Sequence, residues 1–118
     1  MRFLLLVRRD ADNAVEAGLD ERLAGEMGKL LEDMTKAGVL LDTGGLRPMD
    51  EATRIQLANG RQVVTDGPFT ESKEAIGGYC LIQARAKDEA VEWASRFLAL
   101  HGPEWEMSME IRQVDEPI

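Results

Sequence analysis

The order of apolar segments along the chain predicts an α+β fold, a ferredoxin-like plait in which a β-hairpin separates two βαβ halves. Two segments carry the helical spacing of apolar residues, and each is flanked by strand-like segments. An Asn59-Gly60 pair lies between the halves, with alternating residues on both sides. The chain has 118 residues with no linker or repeat, so residues 1–118 are expected to form a single domain.

The first half has the pattern of strand, helix and strand. Phe3–Val7 is apolar at successive positions, which indicates a strand buried on both faces, whereas Arg9–Gly18 is polar and is expected to form a loop. A helix is predicted over Asp20–Ala37, with its first residue as N-cap and Gly38 as the left-handed residue that ends it. Val39–Thr43 then has the pattern of a second strand.

The middle of the chain predicts a two-residue hairpin between strands Thr53–Ala58 and Arg61–Thr65. Asn-Gly favours a type I′ turn because both central residues need positive φ. Pairing across such a turn separates two faces. The apolar face carries Ile55, Leu57 and Val64, and the polar face carries Arg54, Gln56, Arg61 and Thr65.

The second half repeats the strand, helix and strand order. Gly77–Ala84 is a largely apolar strand, and a helix is predicted over Lys87–Leu100, ended by Gly102-Pro103. The last strand, about Glu106–Val114, alternates, with Met107, Met109 and Ile111 facing inward.

These patterns predict a homodimer. Two helices cover only one face of the sheet, yet Phe3–Val7 and Tyr79–Ala84 are apolar on both faces. A large exposed apolar face is rare on soluble monomers, so a second copy is expected to cover it. The alternative is that the hairpin folds back over that face.

Composition narrows the class of protein. There are 22 acidic and 14 basic residues, a net charge of −8, which disfavours nucleic acid as a partner. The longest apolar run, Phe3–Val7, is far shorter than the ~18 residues of a membrane span, and no signal peptide opens the chain. A single cysteine, Cys80, fits a reducing compartment, so a cytoplasmic location is expected.

Several segments resemble the YCII-related family, and specifically its DGPF branch. The signature is Val64–Glu74 followed by Gly77-Gly78-Tyr79, and the segments Phe3–Leu6, Asp88–Ala94 and Met109–Arg112 are also similar. The resemblance implies a dimeric α/β barrel of ferredoxin-like subunits. It implies no particular reaction, and the link of some members to extracytoplasmic-function sigma factors suggests an accessory or regulatory role. Other members carry a His–Asp pair proposed as catalytic. The first helix here has no histidine, which weakens an enzymatic interpretation, although Asp42 resembles the aspartate of that pair.

Asp66 is the leading candidate for chemistry, as a general base or a ligand anchor backed by Phe69. The structural alternative is an Asx-type turn, in which Gly67-Pro68 redirects the chain. Lys73 is a candidate for a further polar contact and Tyr79 for an apolar wall, although the charge run that contains Lys73 is better explained as solvated surface.

Arg54 and Arg61, on one face of the hairpin, are candidates for an anion site or are simply solubilising charges. His101 follows the second helix and fits a capping role better than catalysis. Cys80 is expected to be buried and inert. No metal-ligand spacing or cofactor motif is present, so neither a metal nor a cofactor is predicted.

The favoured interpretation is a homodimer that binds a small polar or anionic molecule in a cleft beside the Asp66–Phe69 segment. Two alternatives remain: a cofactor-independent enzyme that uses Asp66 or Asp42 for proton transfer, and a regulator that contacts a sigma factor.

Overall fold

The computed structural model describes residues 1–10, 21–69 and 74–116. Within these residues six strands and two α-helices follow the predicted order, and a short 3-10 helix that was not predicted precedes the hairpin. They are β1 Arg2–Asp10, α1 Glu21–Lys36, β2 Leu40–Gly45, the 3-10 helix Met49–Glu51, β3 Thr53–Ala58, β4 Arg61–Asp66, β5 Glu74–Gln83, α2 Lys87–Ala99 and β6 Met107–Gln113.

The main sheet has four strands in the order β2-β5-β1-β6, and every neighbouring pair is antiparallel. The strands of each βαβ half are therefore separated by one strand of the other half. This α+β arrangement is compatible with the predicted ferredoxin-like plait. Strands β3 and β4 form a separate two-stranded sheet between the halves.

The core lies between one face of the main sheet and the two helices. Phe3, Leu5 and Ile82 are at most 1% exposed, and they pack with residues that include Leu30 of α1 and Ala94 of α2. Alternation along a strand sends every second side chain to this face, as predicted for β1. The two helices are amphipathic, and neither is long or apolar enough to cross a lipid bilayer.

The predicted loop over Arg9–Gly18 is wrong at its start. Arg9 and Asp10 belong to β1 and pair with β5, beyond a register shift after Val7. This pairing gives hydrogen-bond partners to the backbone N–H and C=O groups of both residues. Because their side chains are polar, the apolar pattern of the sequence does not predict them as strand. The N-cap predicted at Asp20 lies outside the described residues, and the other boundaries agree within three residues.

The hairpin has the predicted turn and register. Asn59 and Gly60 have φ values of 53° and 74°, as a type I′ turn requires, and Ile55 pairs with Val64. The apolar face is uncovered, because Ile55, Leu57 and Val64 are 62%, 71% and 64% exposed, and Val63 on the opposite face is 56% exposed. The alternative in which the hairpin folds back over the main sheet is therefore wrong.

The main sheet has one face without helices, here called the open face. Leu4 and Leu6 of β1 and Tyr79 and Leu81 of β5 lie at its centre and are only half-buried. The molecule measures 46 × 43 × 18 Å, so it is a slab two layers thick. Its radius of gyration is 16.2 Å, against about 13.5 Å for a compact chain of this length.

Leu5→Ala is expected to lower the free energy of unfolding by about 2–5 kcal/mol, because it leaves a cavity between sheet and helices. Val91→Ala is the control, since Val91 lies on α2 and is 45% exposed; its change should stay within about 0.5 kcal/mol. Urea unfolding at one protein concentration measures both, and equal losses would contradict the assigned core.

Candidate functional site

The Asp66–Phe69 turn follows β4 and lies against the end of the 3-10 helix. Asp66 Oδ1 accepts a hydrogen bond from Thr53 Oγ1 at 3.1 Å, which ties the open end of the hairpin. The Gly67 backbone N–H donates to the Ala52 carbonyl at 2.7 Å, and the Gly67-Pro68 peptide is cis. A Cβ at Gly67 would collide with the Met49 carbonyl, so only glycine fits there. The structural contact of Asp66 is thus a cross-strand hydrogen bond to a side chain, whereas the predicted structural alternative was an Asx-type turn.

The side chain of Arg54, a residue of β3, lies over Phe69 of the turn, and this pair is the part of the region best suited to bind a ligand. The Arg54 guanidinium carbon lies 3.9 Å from the centre of the Phe69 ring, a cation–π contact that orients the planar group. Both residues are half-buried. An oriented guanidinium presents N–H donors in a fork that suits carboxylate or phosphate.

Arg61 does not join Arg54. It pairs with Ala58 beside the turn, whereas Arg54 pairs with Thr65 near the base of the hairpin. Four residues of strand separate the two positions, or about 13 Å along the backbone. The arginine pair predicted from the shared face is therefore not a single preformed anion site.

Asp42 and Tyr79 form a second polar group, on the open face. The Tyr79 hydroxyl donates to Asp42 Oδ2 at 3.0 Å, and Asp42 Oδ1 accepts from the Thr43 backbone N–H at 2.9 Å. The Tyr79 ring crosses its cross-strand neighbour Gly44, where a Cβ would lie 3.0 Å from the ring. The carboxylate is thus positioned, and its remaining lone pairs accept hydrogen bonds or a proton from a ligand.

Two nearby groups have altered pKa values. The hydrogen bond to Asp42, together with the negative charge of that carboxylate, raises the pKa of the Tyr79 phenol, so the phenol stays protonated and donates. Burial raises the pKa of the Cys80 thiol, although Thr43 Oγ1 lies 3.2 Å from its sulfur. Cys80 is buried as predicted and has the character of an inert thiol.

The structure places the predicted site residues in two groups. Asp66, Arg54 and Phe69 lie at the base of the hairpin, whereas Tyr79 lies with Asp42 on the main sheet. Lys73 lies outside the described residues. Sequence reasoning missed the pairing of Asp42 with Tyr79, and its signal is the glycine, Gly44, that the ring needs opposite it.

His101 has the predicted capping role. Its Nδ1 lies 3.0 Å from the Phe97 carbonyl oxygen and donates to it at the end of α2. The imidazole packs edge-on against Trp105 at 5.1 Å, and Arg9 lies over the same indole. A Cβ at Gly77 would lie 2.5 Å from the Arg9 guanidinium, so this glycine makes room for the stack.

Metal ligands are not clustered in the described part of the chain, where no three His, Cys, Asp or Glu side chains come together. A shallow concavity runs along α2 and is lined by residues that include Arg85, Glu89, Trp93 and Arg96. It contains none of the predicted site residues.

Comparison with known proteins identifies similar sequences. A family model described as a YCII-related domain matches residues 1–112. An uncharacterized protein of Rhizobium meliloti (strain 1021) is 33% identical over 75 residues. The match covers 64% of this chain and 60% of that relative, so it spans less than two thirds of the relative's length.

Tyr79 is the one tyrosine of the sequence, so near-ultraviolet titration reports its ionisation alone. Its pKa should lie above the ordinary value of 10.0, and Asp42→Asn should lower it toward that value. Because the folded-state pKa is the higher one, the free energy of unfolding should fall as pH rises from about 10. Asp66→Asn is the control; an equal effect from it would contradict the assigned pair.

Gly67→Ala is expected to lower the free energy of unfolding by about 1–3 kcal/mol, because the new methyl group meets the Met49 backbone rather than a movable side chain. Gly45→Ala is the matched control, since no heavy atom lies within 4 Å of its Cβ position. Urea unfolding compares the two variants. A neutral Gly67→Ala would show that the turn tolerates a side chain.

Proposed function

This chain belongs to the YCII-related family, and we propose that it acts as a homodimer that binds a small polar or anionic molecule beside the Asp66–Phe69 turn. The observation that carries the proposal is the Arg54 guanidinium held 3.9 Å above the Phe69 ring. An arginine oriented in this way loses less conformational entropy when its donors engage an anion.

The chemistry of the turn defines the ligand class. Arg54 supplies donors for a carboxylate or phosphate, Phe69 supplies an apolar wall, and the exposed Asp66 supplies an acceptor. A ligand with an anionic group suits Arg54 beside Phe69, and it reaches Asp66, on the opposite face of the hairpin, only around the hairpin base. Lys73 is proposed as a further cation, whereas Tyr79 lies with Asp42 on the open face and is left out of this contact set.

The open face supports the homodimer. Its apolar centre is bordered by charged residues, including Arg8 and Glu110, whose side chains lie 3.8 Å apart. An apolar centre with a polar rim is the usual composition of a protein interface. Two open faces packed together would give the dimeric barrel. We also propose that the chain belongs to the DGPF branch and that it is cytoplasmic.

A second candidate function is catalysis by the Asp42–Tyr79 pair. The 3.0 Å hydrogen bond holds the carboxylate in place, and its free lone pairs accept a proton. In this case the molecule bound by the homodimer would be consumed without a cofactor, and Asp42 rather than Asp66 would be the base.

Native mass spectrometry of the protein purified from its own host tests the proposal. We expect a dimer that carries a small adduct, and Arg54→Gln should weaken adduct binding by about tenfold or more. Arg61→Gln is the matched control, because it removes the same charge from the same face of the hairpin.

The outcomes separate the candidates. An adduct retained by Arg54→Gln, or lost equally from both variants, contradicts the turn as the site. If the wild-type protein converts the captured compound and Asp42→Asn does not, catalysis is the function. A dimer without adduct that carries a co-purifying protein would instead favour the regulatory role, with a sigma factor as the partner to test.

A further inference from the structure

The hairpin carries an apolar face that nothing in the described chain covers. Ile55 and Val64 form a cross-strand pair on this face, and Leu57 pairs with Gln62 beside them. These three aliphatic side chains are 62%, 64% and 71% exposed. We call the surface of Ile55, Leu57 and Val64 the hairpin face.

A two-stranded hairpin gains stability when one of its faces is covered. Strands β3 and β4 form a two-stranded sheet apart from the main sheet. A two-stranded sheet is at best marginally stable in water, and three or more strands or a packed face are needed. Branched aliphatic residues on a strand contribute to stability mainly through side-chain packing against neighbours.

The charges of the hairpin favour a second hairpin as that cover. Arg54 and Arg61 both lie on the opposite face, so they would not meet when two hairpin faces come together. The only charged residue on the hairpin-face side is Asp66, which is at the base and accepts a hydrogen bond from Thr53. The hairpin face is thus apolar and free of like-charge repulsion against its own copy.

We propose that the hairpin face is an interface with a second copy of this chain, packed hairpin face against hairpin face. Each copy then supplies the apolar layer that the other lacks, and the two ribbons form a four-stranded sandwich. Such a contact is isologous, because the same surface serves both copies.

The small area of the hairpin face determines which oligomer is expected. Three exposed side chains give a patch of roughly a few hundred Å², below the ~800 Å² per partner of a stable interface. Two such contacts form together if the copies are already paired through their open faces, which gives a closed tetramer. The tetramer rests on the proposed homodimer; without it, the hairpin contact would join two copies only in a weak association that depends on protein concentration.

Sedimentation velocity of two charge-matched variants tests the contact. Leu57→Glu places a carboxylate in the hairpin face, and Val63→Glu places one on the opposite face, where Val63 is 56% exposed. We expect Leu57→Glu to halve the wild-type mass and Val63→Glu to leave it unchanged. Since both positions are exposed, both variants should keep the circular-dichroism spectrum of the wild-type protein.

The mass of the wild-type protein distinguishes the hairpin contact from the proposed open-face homodimer. A tetramer that becomes a dimer supports both interfaces, and a dimer that becomes a monomer supports the hairpin contact while contradicting the open-face dimer. A Leu57→Glu protein of unchanged mass, an equal loss in Val63→Glu, or a wild-type monomer overturns the hairpin contact.

Thiol crosslinking gives an independent measurement. A short bis-maleimide should join Leu57→Cys into a covalent dimer, because the two copies of this residue lie in one interface. Val63→Cys is the control and should stay uncrosslinked. The native thiol contributes little background, since Cys80 is only 4% exposed. Equal crosslinking of both variants would contradict the proposed packing.

Discussion

The main sheet has apolar side chains on both faces, but the chain supplies helices for only one of them. The rest of the structure depends on this mismatch. Phe3 and Leu5 on one side of β1 are buried under α1 and α2, while Leu4 and Leu6 on the other side are not. Burial of the first face holds the plait together, because it forms the core. The second face stays uncovered by helices, and the proposed homodimer would cover it.

The residues of the Asp66–Phe69 turn differ in what their contacts do. Asp66 and Gly67 are explained by contacts within the chain, since they tie the hairpin base to residues just before it. Phe69 differs, because its contact is with the guanidinium of Arg54. The proposed ligand binding therefore depends on the arginine–aromatic pair more than on the carboxylate.

The Arg54–Phe69 pair depends on local chain geometry, whereas the Asp42–Tyr79 pair depends on the tertiary structure. Arg54 and Phe69 are brought together by one local hairpin and its turn. Asp42 and Tyr79 are 37 residues apart and meet only because β2 and β5 are neighbours in the sheet. Only the second group lies on the open face, so pairing of two open faces would enclose it. The proposed binding site at the hairpin base and the proposed catalytic pair thus differ in whether the proposed homodimer would enclose them.

The sequence by itself determined the order of elements, the hairpin turn and the faces of β1 and β3. These features follow from local rules: positive φ at Asn59 and Gly60, and alternation of side chains along a strand. Only the tertiary structure decided that β1 extends through Asp10, that Tyr79 reaches Asp42, and that the hairpin stands apart from the main sheet. Those outcomes depend on register and on contacts between distant segments, which no local pattern of residues encodes.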